Sequence, residues 1–287
     1  MNKIVPLVSL IEVDNYISNG VDSVLMGTHF GSTRQERVYD LEEIIDTNAK
    51  IPVIAMYNRF YFEQELEQLK DEIKALHDGG IDHIMCTDMA VIQIVNEEEL
   101  DLKIIYNTDT TMTNAEDIQL MLDKSVDEVI VSRELTFDER LEISKNVKGN
   151  LGMHFFGYQL MSFSRRKHLS QYKDLSGIEI ETESINYLKE VNRDDLYMTF
   201  EDTYGTHMFA PNVLSMIHLY DQLKASNYKN LYFETININI DDVLFVIRNI
   251  DMIEDYKEFE EIVRETSGLE LDHGLLYSET DKGKVRS

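Results

Sequence analysis

The stretch IPVIAMYNRFYFEQELEQLKDEIKALHDGGIDHIMCTD (51–88) decides the fold class. It begins and ends with short apolar runs, which are typical of strands covered on both faces of a parallel sheet. Between these runs, leucine and isoleucine recur with helical spacing from Leu66 to Leu76, and a Gly-Gly pair then ends the helix. The stretch therefore predicts a strand–helix–strand unit.

The same alternation extends in both directions along the chain. Helical patterns occur at 114–125, where Asn114 is a plausible N-cap, and at 135–147. Eight runs predict strands: KIVPLV (3–8), VDSVLMG (21–27), IPVIAMYN (51–58), IDHIMCTD (81–88), LKIIYNTD (102–109), VDEVIVSR (126–133), LGMHFFG (151–157) and NLYFETI (230–236). Strands alternating with helices at this spacing predict an α/β fold, a TIM-barrel-like (β/α)8 barrel. A doubly wound sheet is the alternative, but no G-x-G-x-x-G follows the first strand.

Residues 175–209 interrupt this alternation. LSGIEIETE (175–183) and LYMTFEDTYGTHMF (196–209) alternate apolar and polar residues, as antiparallel strands do. We therefore predict a small β-rich insertion near residues 175–209, between the seventh and eighth strands. The whole is predicted to form one domain over residues 1–268, followed by a polar, loosely ordered C-terminal tail over 269–287.

Composition limits the classes of function. The 287 residues carry 54 acidic and 27 basic side chains, a formal net charge of −27, which argues against a stand-alone nucleic-acid binder and against a DNA-binding role. The single cysteine, Cys86, excludes a disulfide framework and a cysteine-ligated cluster. The eight histidines show no zinc-like spacing, so no metal site is predicted. Without a signal-peptide pattern or a membrane-length apolar run, the chain is expected to be cytoplasmic.

Polar residues follow most of the predicted strands, at the end of a (β/α)8 barrel where active sites form. They are Asn58-Arg59, Thr87-Asp88, Asn107-Thr108-Asp109, Arg133-Glu134, His154 and Glu234. We expect them to form one pocket, although strand ends meet polar loops in any case. Arg133 is suited to clamp a carboxylate or phosphate, or else the charged residues at 133–134 take part in a structural ion pair that closes the barrel.

Two further stretches carry chemistry of interest. EDTYGTHMF (201–209) holds Glu201, Asp202 and His207, which suit general acid–base work or metal binding, or else form the polar tip of a hairpin. A cationic segment, Arg165 to His168, follows the seventh strand in an otherwise acidic chain.

The order and spacing of several motifs resemble the U32 peptidase family, the collagenase-like proteins with a TIM-barrel-like catalytic domain. The resemblance covers about residues 1–240. The motifs are NTDTTMTNAED (107–117), VIVSREL (129–135), LGMHFFGYQLMSFSRRKHLSQY (151–172) and FEDTYGTHMFAPNVLSMI (200–217). The family name implies a hydrolase, specifically a peptidase, but no recognisable protease constellation is present.

The third of these motifs departs from the family pattern. Phe156 stands where many members have a histidine, next to the retained Gly157, and Leu160 and Lys167 stand where two cysteines would be. In cysteine-bearing relatives those thiols help to hold an iron–sulfur cluster. The resemblance therefore implies that this chain binds no such cluster, and no other cofactor is predicted; a divalent metal lacks support in the sequence.

This departure resembles the short, cysteine-poor branch found beside a longer cysteine-bearing paralogue in Gram-positive bacteria. The resemblance implies a role in prephenate-dependent formation of 5-hydroxyuridine at the tRNA wobble position, as one subunit of a hetero-oligomer with that paralogue. The alternatives are a collagenase-like peptidase and a non-catalytic scaffold.

A small anionic ligand or a tRNA nucleotide would occupy the pocket. The predicted catalytic residues are Glu134, Asp202, His207 and Glu234. The predicted substrate-binding residues are Asp88, Asn107, Arg133, Arg165, Arg166 and His168.

Overall fold

Eight parallel strands close into a barrel in the computed structural model, which describes residues 1–192 and 194–278. The barrel strands are β1 (Asn2–Pro6), β2 (Ser23–Thr28), β4 (Val53–Tyr57), β5 (His83–Cys86), β6 (Lys103–Tyr106), β7 (Glu128–Ile130), β8 (Asn150–Ser164) and β12 (Tyr228–Phe233). The short β3 (Val38–Tyr39) pairs with β2. Strand β12 pairs in parallel with both β1 and β8, which closes the barrel. The (β/α)8 prediction is confirmed.

Helices surround the barrel and bury their apolar sides against it. They are α1 (Val13–Ser18), α2 (Leu41–Asn48), α3 (Leu66–Asp78), α4 (Met89–Glu97), α5 (Ala115–Lys124), α6 (Phe137–Asn146), α7 (His168–Ser176), α8 (Tyr220–Lys224), α9 (Ile240–Asn249) and α10 (Tyr256–Ser267). The predicted cap of α5 is present, because the side chain of Asn114 accepts a 2.9 Å hydrogen bond from Asp117 N. None of the helices in the described residues has both the length and the apolar character to span a membrane.

The barrel interior has its own apolar core, separate from the core beneath the helices. It consists of Ile4, Leu25, Ile54, Met56, Met85, Ile105, Ile130 and Tyr232. Neighbouring residues such as Tyr57, Cys86 and Tyr106 belong instead to the outer core. The alternation follows from the two-residue period of a strand, which points successive side chains to opposite faces.

The predicted insertion is present, but its sheet is built differently from the sequence pattern. Strand β8 continues beyond the barrel and pairs antiparallel with β11 (Gly205–Ser215). Strand β10 (Leu196–Asp202) pairs antiparallel with β11 on one side and with β9 (Asn186–Lys189) on the other. The stretch 196–209 forms the expected hairpin. The strand expected at 175–183 is wrong: α7 ends at Ser176 and β9 begins only at Asn186.

The first part of the predicted C-terminal tail packs against the barrel. Strand β13 (Leu271–Asp272) pairs in parallel with β11, and Leu271 and Leu276 are both buried. The prediction of loose order is therefore wrong for residues 269–278, which these contacts hold against the barrel. The rest of the tail lies outside the described residues, and the domain boundary at 268 stays a prediction.

The amino end of the barrel holds a cavity of about 770 Å³, which Glu128 lines together with Asn230. Glu128 is buried and accepts hydrogen bonds from Tyr232 Oη (2.9 Å) and from Asn230 Nδ2. Burial raises the pKa of Glu128 to about 7, although the two hydrogen bonds act in the opposite direction. This end of a (β/α)8 barrel usually serves stability, not catalysis.

Gly157 lies where β8 leaves the barrel, and its backbone passes close to Glu234. Its φ is +123°, and a Cβ there would lie 2.5 Å from Cβ of Glu234. Gly157→Ala should therefore lower the free energy of unfolding in urea by more than Gly177→Ala does. Gly177 also has a positive φ (+69°) but has open space around it, so its cost is the backbone strain alone, about 1–2 kcal/mol. Equal losses in the two variants would contradict the close approach.

The raised pKa of Glu128 makes the free energy of unfolding depend on pH. Its pKa is raised in the folded state, so its favourable contribution is fully present below its ordinary value of 4.5 and is lost as the pH rises through about 7. Denaturation of wild type and Glu128→Gln at pH 5 and pH 8 should show the wild type losing up to about 3 kcal/mol relative to the variant. A constant difference between the two proteins across this range would contradict the raised pKa.

Candidate active site

The inward faces of four strands continue into polar side chains at the carboxyl end of the barrel. Three of these residues lie two positions after a residue of the inner apolar core. His154 lies two positions after Gly152, where a Cβ would meet Ile130 and Tyr232 of that core. Strand alternation therefore directs all four toward the barrel axis. The four are Asn58, Asn107, His154 and Glu234. The same period places Asp109 two residues beyond Asn107, and Asp109 N donates a 3.1 Å hydrogen bond to Asn107 Oδ1.

Asp109 lies between two arginines at the centre of this end. Its Oδ1 is 2.5 Å from Arg133 Nη2 and its Oδ2 is 2.6 Å from Arg34 Nη2, and its side chain is 9% exposed. Burial alone would raise the pKa of Asp109, but Arg133 and Arg34 outweigh it and lower the pKa to about 2. Asp109 also has φ +63°, a conformation that costs energy for a side chain other than glycine and clusters at functional sites.

His154 and Glu234 extend this cluster on the other side of Arg133. Arg133 Nη2 lies 2.8 Å from His154 Nε2 and, because a guanidinium only donates, Nε2 must carry the lone pair. The ring proton is then on Nδ1, which lies 3.2 Å from Glu234 Oε1, although not in hydrogen-bonding geometry. Burial and the nearby Arg133 lower the pKa of His154, so the ring is neutral at neutral pH.

Glu234 remains ionised beside this histidine. Burial would raise its pKa, but the adjacent imidazole N–H of His154 and the charges of Arg133 and Arg34 lower it below the usual range. Its side chain is 25% exposed, which makes it the most accessible side chain of the cluster. A carboxylate next to a neutral imidazole is an arrangement that accepts and passes on a proton.

The loop after β2 supplies Arg34, and the insertion holds this loop in place. Asp202 Oδ2 accepts hydrogen bonds from Thr33 Oγ1 (2.5 Å) and Arg34 N (2.8 Å), and it lies 3.0 Å from His207 Nε2. The other oxygen, Oδ1, accepts from the backbone of Tyr204 (2.8 Å). Arg34 has φ +49°, so these contacts fix a strained backbone that directs its guanidinium to Asp109.

A second arginine fixes the loop that carries Arg133. Arg140 is fully buried on α6 and donates to the backbone oxygens of Arg133 (3.0 Å) and Leu135 (3.1 Å). Burial lowers the pKa of Arg140 to about 10, so the side chain stays charged. Its contacts fix the loop and, with it, the position of the Arg133 guanidinium.

Two cavities adjoin the cluster. Arg133, His154 and Glu234 line a small one of about 20 Å³, which is the size of a single water molecule. Above it, a groove of about 540 Å³ has Asp109 and Phe163 in its wall. Arg34 and Asn58 border both spaces. The groove lies within the size range of small-molecule sites, and the polar cluster forms part of its floor.

The predicted site residues do not all lie together. Asn107, Arg133 and Glu234 belong to the cluster, and Asp202 and His207 belong to the clamp around Thr33. Asp88 caps α4 by accepting from Ala90 N (2.9 Å) and borders the groove. Glu134 is exposed, and its side chain makes no hydrogen bond or ion pair with another described residue. Arg133 forms its structural ion pair with Asp109. A catalytic role for Glu134, Asp202 or His207 stays a prediction.

The cationic segment lies outside the cluster. The Arg165 guanidinium lies 3.4 Å from the ring centre of Phe62, and its Nη2 is 4.0 Å from Glu65 Oε2. Arg166 is exposed, and His168 Nε2 is 2.9 Å from Ser164 Oγ. The structure therefore places these three residues on the surface of the insertion, and their role in substrate binding stays a prediction.

The residues present do not fit an iron–sulfur cluster. Leu160, at the first of the two cysteine positions of the resemblance, is buried against Met198, Phe209 and Ile236. Lys167 is exposed at the second. Cys86 is fully buried in the outer core, and burial raises the pKa of its thiol far above the ordinary value.

Sequence reasoning named Asp109 and His154 as strand-end residues but gave them no role, and it missed Thr33 and Arg34. The two-residue period identifies Asp109 when it is counted from the inner-core residue Ile105, and His154 when it is counted from the inward-facing Gly152. Thr33 and Arg34 lie in a loop, where no periodicity applies, so the sequence carried no comparable signal for them.

Comparisons with known proteins agree with this architecture. The "tRNA hydroxylation protein P2" of Bacillus subtilis strain 168 is 28% identical over 60% of this chain and 57% of its own length. The "tRNA hydroxylation protein P1" of the same organism is 24% identical over 53% of this chain and 38% of its own length. The chain thus spans less than two thirds of either relative.

A solved structure of a U32 peptidase superimposes with a TM-score of 0.50 and 14% identity, over 82% of this chain and 92% of that one, which shows a shared fold. The sequence model of peptidase family U32 matches residues 9–283. The chain therefore belongs to peptidase family U32.

Proposed function

We propose that the chain acts in tRNA hydroxylation, in the formation of 5-hydroxyuridine at the wobble position. The names of the two Bacillus subtilis relatives support this pathway. The observation that carries an active role for this chain is the buried cluster of Arg34, Asp109, Arg133, His154 and Glu234 beneath the groove. Charged side chains are costly to bury, so a cluster of them at the functional end of a barrel favours a ligand site over a merely structural one.

The groove suits a small anionic molecule or a nucleotide. Arg34 lies at its border, and Arg133 Nε is a buried donor without a partner on the side of the smaller cavity. An anionic ligand in the groove would meet the guanidinium of Arg34, and a ligand oxygen or a water molecule in the smaller cavity would give Arg133 Nε the acceptor it lacks. Phe60 and Phe163 lie at the groove with ring centres 6.4 Å apart, and such aromatic faces stack on unpaired nucleobases. Glu234 and His154 would move a proton from beneath.

We further propose that the chain works with a longer, cysteine-bearing family member. Two relatives of one organism share the tRNA hydroxylation name, and a cysteine-bearing partner would hold the cluster that this chain does not fit. Because this chain has a net charge of −27, the partner would supply the basic surface that binds tRNA. The described residues between 172 and 196 expose several large apolar side chains, as contact surfaces do. They include Tyr172, Leu175, Ile178, Tyr187, Val191 and Leu196.

Complementation of a deletion strain tests the active-site proposal. Nucleoside mass spectrometry should show that the deletion loses 5-hydroxyuridine and its derivatives and that the wild-type gene restores them. Glu234→Gln should reduce the restored amount about tenfold or more, because it removes the charge of a proton-accepting group while keeping its shape. The matched control is Glu42→Gln, at an exposed position on α2.

The outcomes separate the alternatives. Unchanged modification in the deletion strain would overturn the tRNA proposal and leave the peptidase alternative, which the family name favours. Loss in the deletion with full restoration by Glu234→Gln would retain the pathway and favour the non-catalytic scaffold. A thermal melt of each variant shows whether a loss reflects unfolding.

Co-purification tests the partner. The longer relative from the same organism, co-expressed with this chain, should be recovered with it. A double change of Leu175→Asp and Val191→Asp should reduce recovery about tenfold or more, because it places charges in the apolar contact. Ile11→Asp with Met252→Asp is the control, since both are exposed apolar residues elsewhere. Equal recovery from both double variants would contradict a contact through the insertion.

A further inference from the structure

A cluster of two histidines and a glutamate lies in the outer layer of the protein, apart from the groove. His218 belongs to a 3-10 turn (Ile217–Leu219), Glu260 to α10, and His273 follows β13. One nitrogen or oxygen of each residue lies within 4.8 Å of those of the other two. Three separate segments therefore bring metal-type donor atoms to one point.

The distances match those of a metal site. His218 Nδ1 lies 3.2 Å and His273 Nε2 3.5 Å from Glu260 Oε2. Ligands about 2.0–2.1 Å from a tetrahedral zinc ion are about 3.3 Å from one another. Two imidazoles directed at the same carboxylate oxygen thus already stand at nearly the separation that a shared zinc ion requires.

The surroundings also match those of metal ligands. Glu260 is 7% exposed, and its Oε1 accepts a hydrogen bond from Ser215 Oγ. His218 Nε2 is 2.6 Å from Tyr277 Oη, a contact that orients the ring and leaves Nδ1 for the ion. The side chain of His273 is 40% exposed, so one side of the cluster is open to solvent and to a further ligand.

We propose that His218, Glu260 and His273 bind a divalent transition metal, with zinc as the expected ion. Two imidazole nitrogens and a carboxylate oxygen are a common zinc donor set, and water would complete it. The ion would tie residues 271–278 to α10 and to the turn at 217–219. The sequence gives no zinc-like spacing because the ligands are 42 and 13 residues apart.

Zinc binding to the purified full chain tests this proposal. After treatment with a chelator, isothermal titration with Zn²⁺ should show one site per chain, and Zn²⁺ should raise the melting temperature. His273→Ala should weaken binding at that site about tenfold or more and abolish the thermal shift. The control is His77→Ala, which removes a histidine paired with Asp78 on α3. This variant should keep both the zinc affinity and the shift in melting temperature.

The choice of variant protects the test from misfolding. His273 is partly exposed, so its replacement is better tolerated than that of the buried Glu260. The same measurements on His218→Ala test a second ligand, which should also be needed for zinc binding. If Zn²⁺ binds no tighter to wild type than to His273→Ala, the three residues form only a hydrogen-bonded cluster and the proposal is overturned.

Discussion

The carboxylate of Asp109, shared between Arg34 and Arg133, is the interaction on which the mouth of the barrel depends. It joins the loop that follows β2 to the loops that follow β6 and β7, which a backbone hydrogen bond from Arg133 N to Asp109 O also connects. The three side chains are almost fully buried, so loss of one partner leaves an unpaired charge in a dry environment and costs about 3–5 kcal/mol. The ion pair with Asp109 also holds the guanidinium of Arg133 where its Nη2 contacts His154 Nε2.

The insertion completes this mouth by holding the strained loop of Arg34. Asp202 accepts from Thr33 and from the backbone of Arg34, and His207 packs against Phe163 with ring centres 5.1 Å apart. Asp202 and His207 therefore act on the cluster through Arg34, whatever further role they have. Two residues of the stretch 151–172 also have a structural role: Gly157 lets β8 pass Glu234, and Leu160 packs in an apolar cluster with Met198.

Much of the fold and part of the site were predictable from the sequence. Apolar runs and helical spacing depend on local burial, so they identified the eight strands, and the residue type of Asn114 identified the N-cap of α5. Strand ends identified Arg133 and Glu234, because barrel strands deliver their last side chains to one end. The pattern failed at 175–183, where alternating residues pack as α7 and a loop, and at Glu134, which follows Arg133 but faces solvent.

The sequence by itself thus determined which residues alternate toward the barrel axis, since a strand's two-residue period is a local property. Only the tertiary structure decided which charges meet. Arg34 reaches Asp109 across 75 residues, and His218 approaches Glu260 across 42. Such pairs form because barrel closure and loop packing bring distant segments together, and no periodicity along the chain records which segments those are.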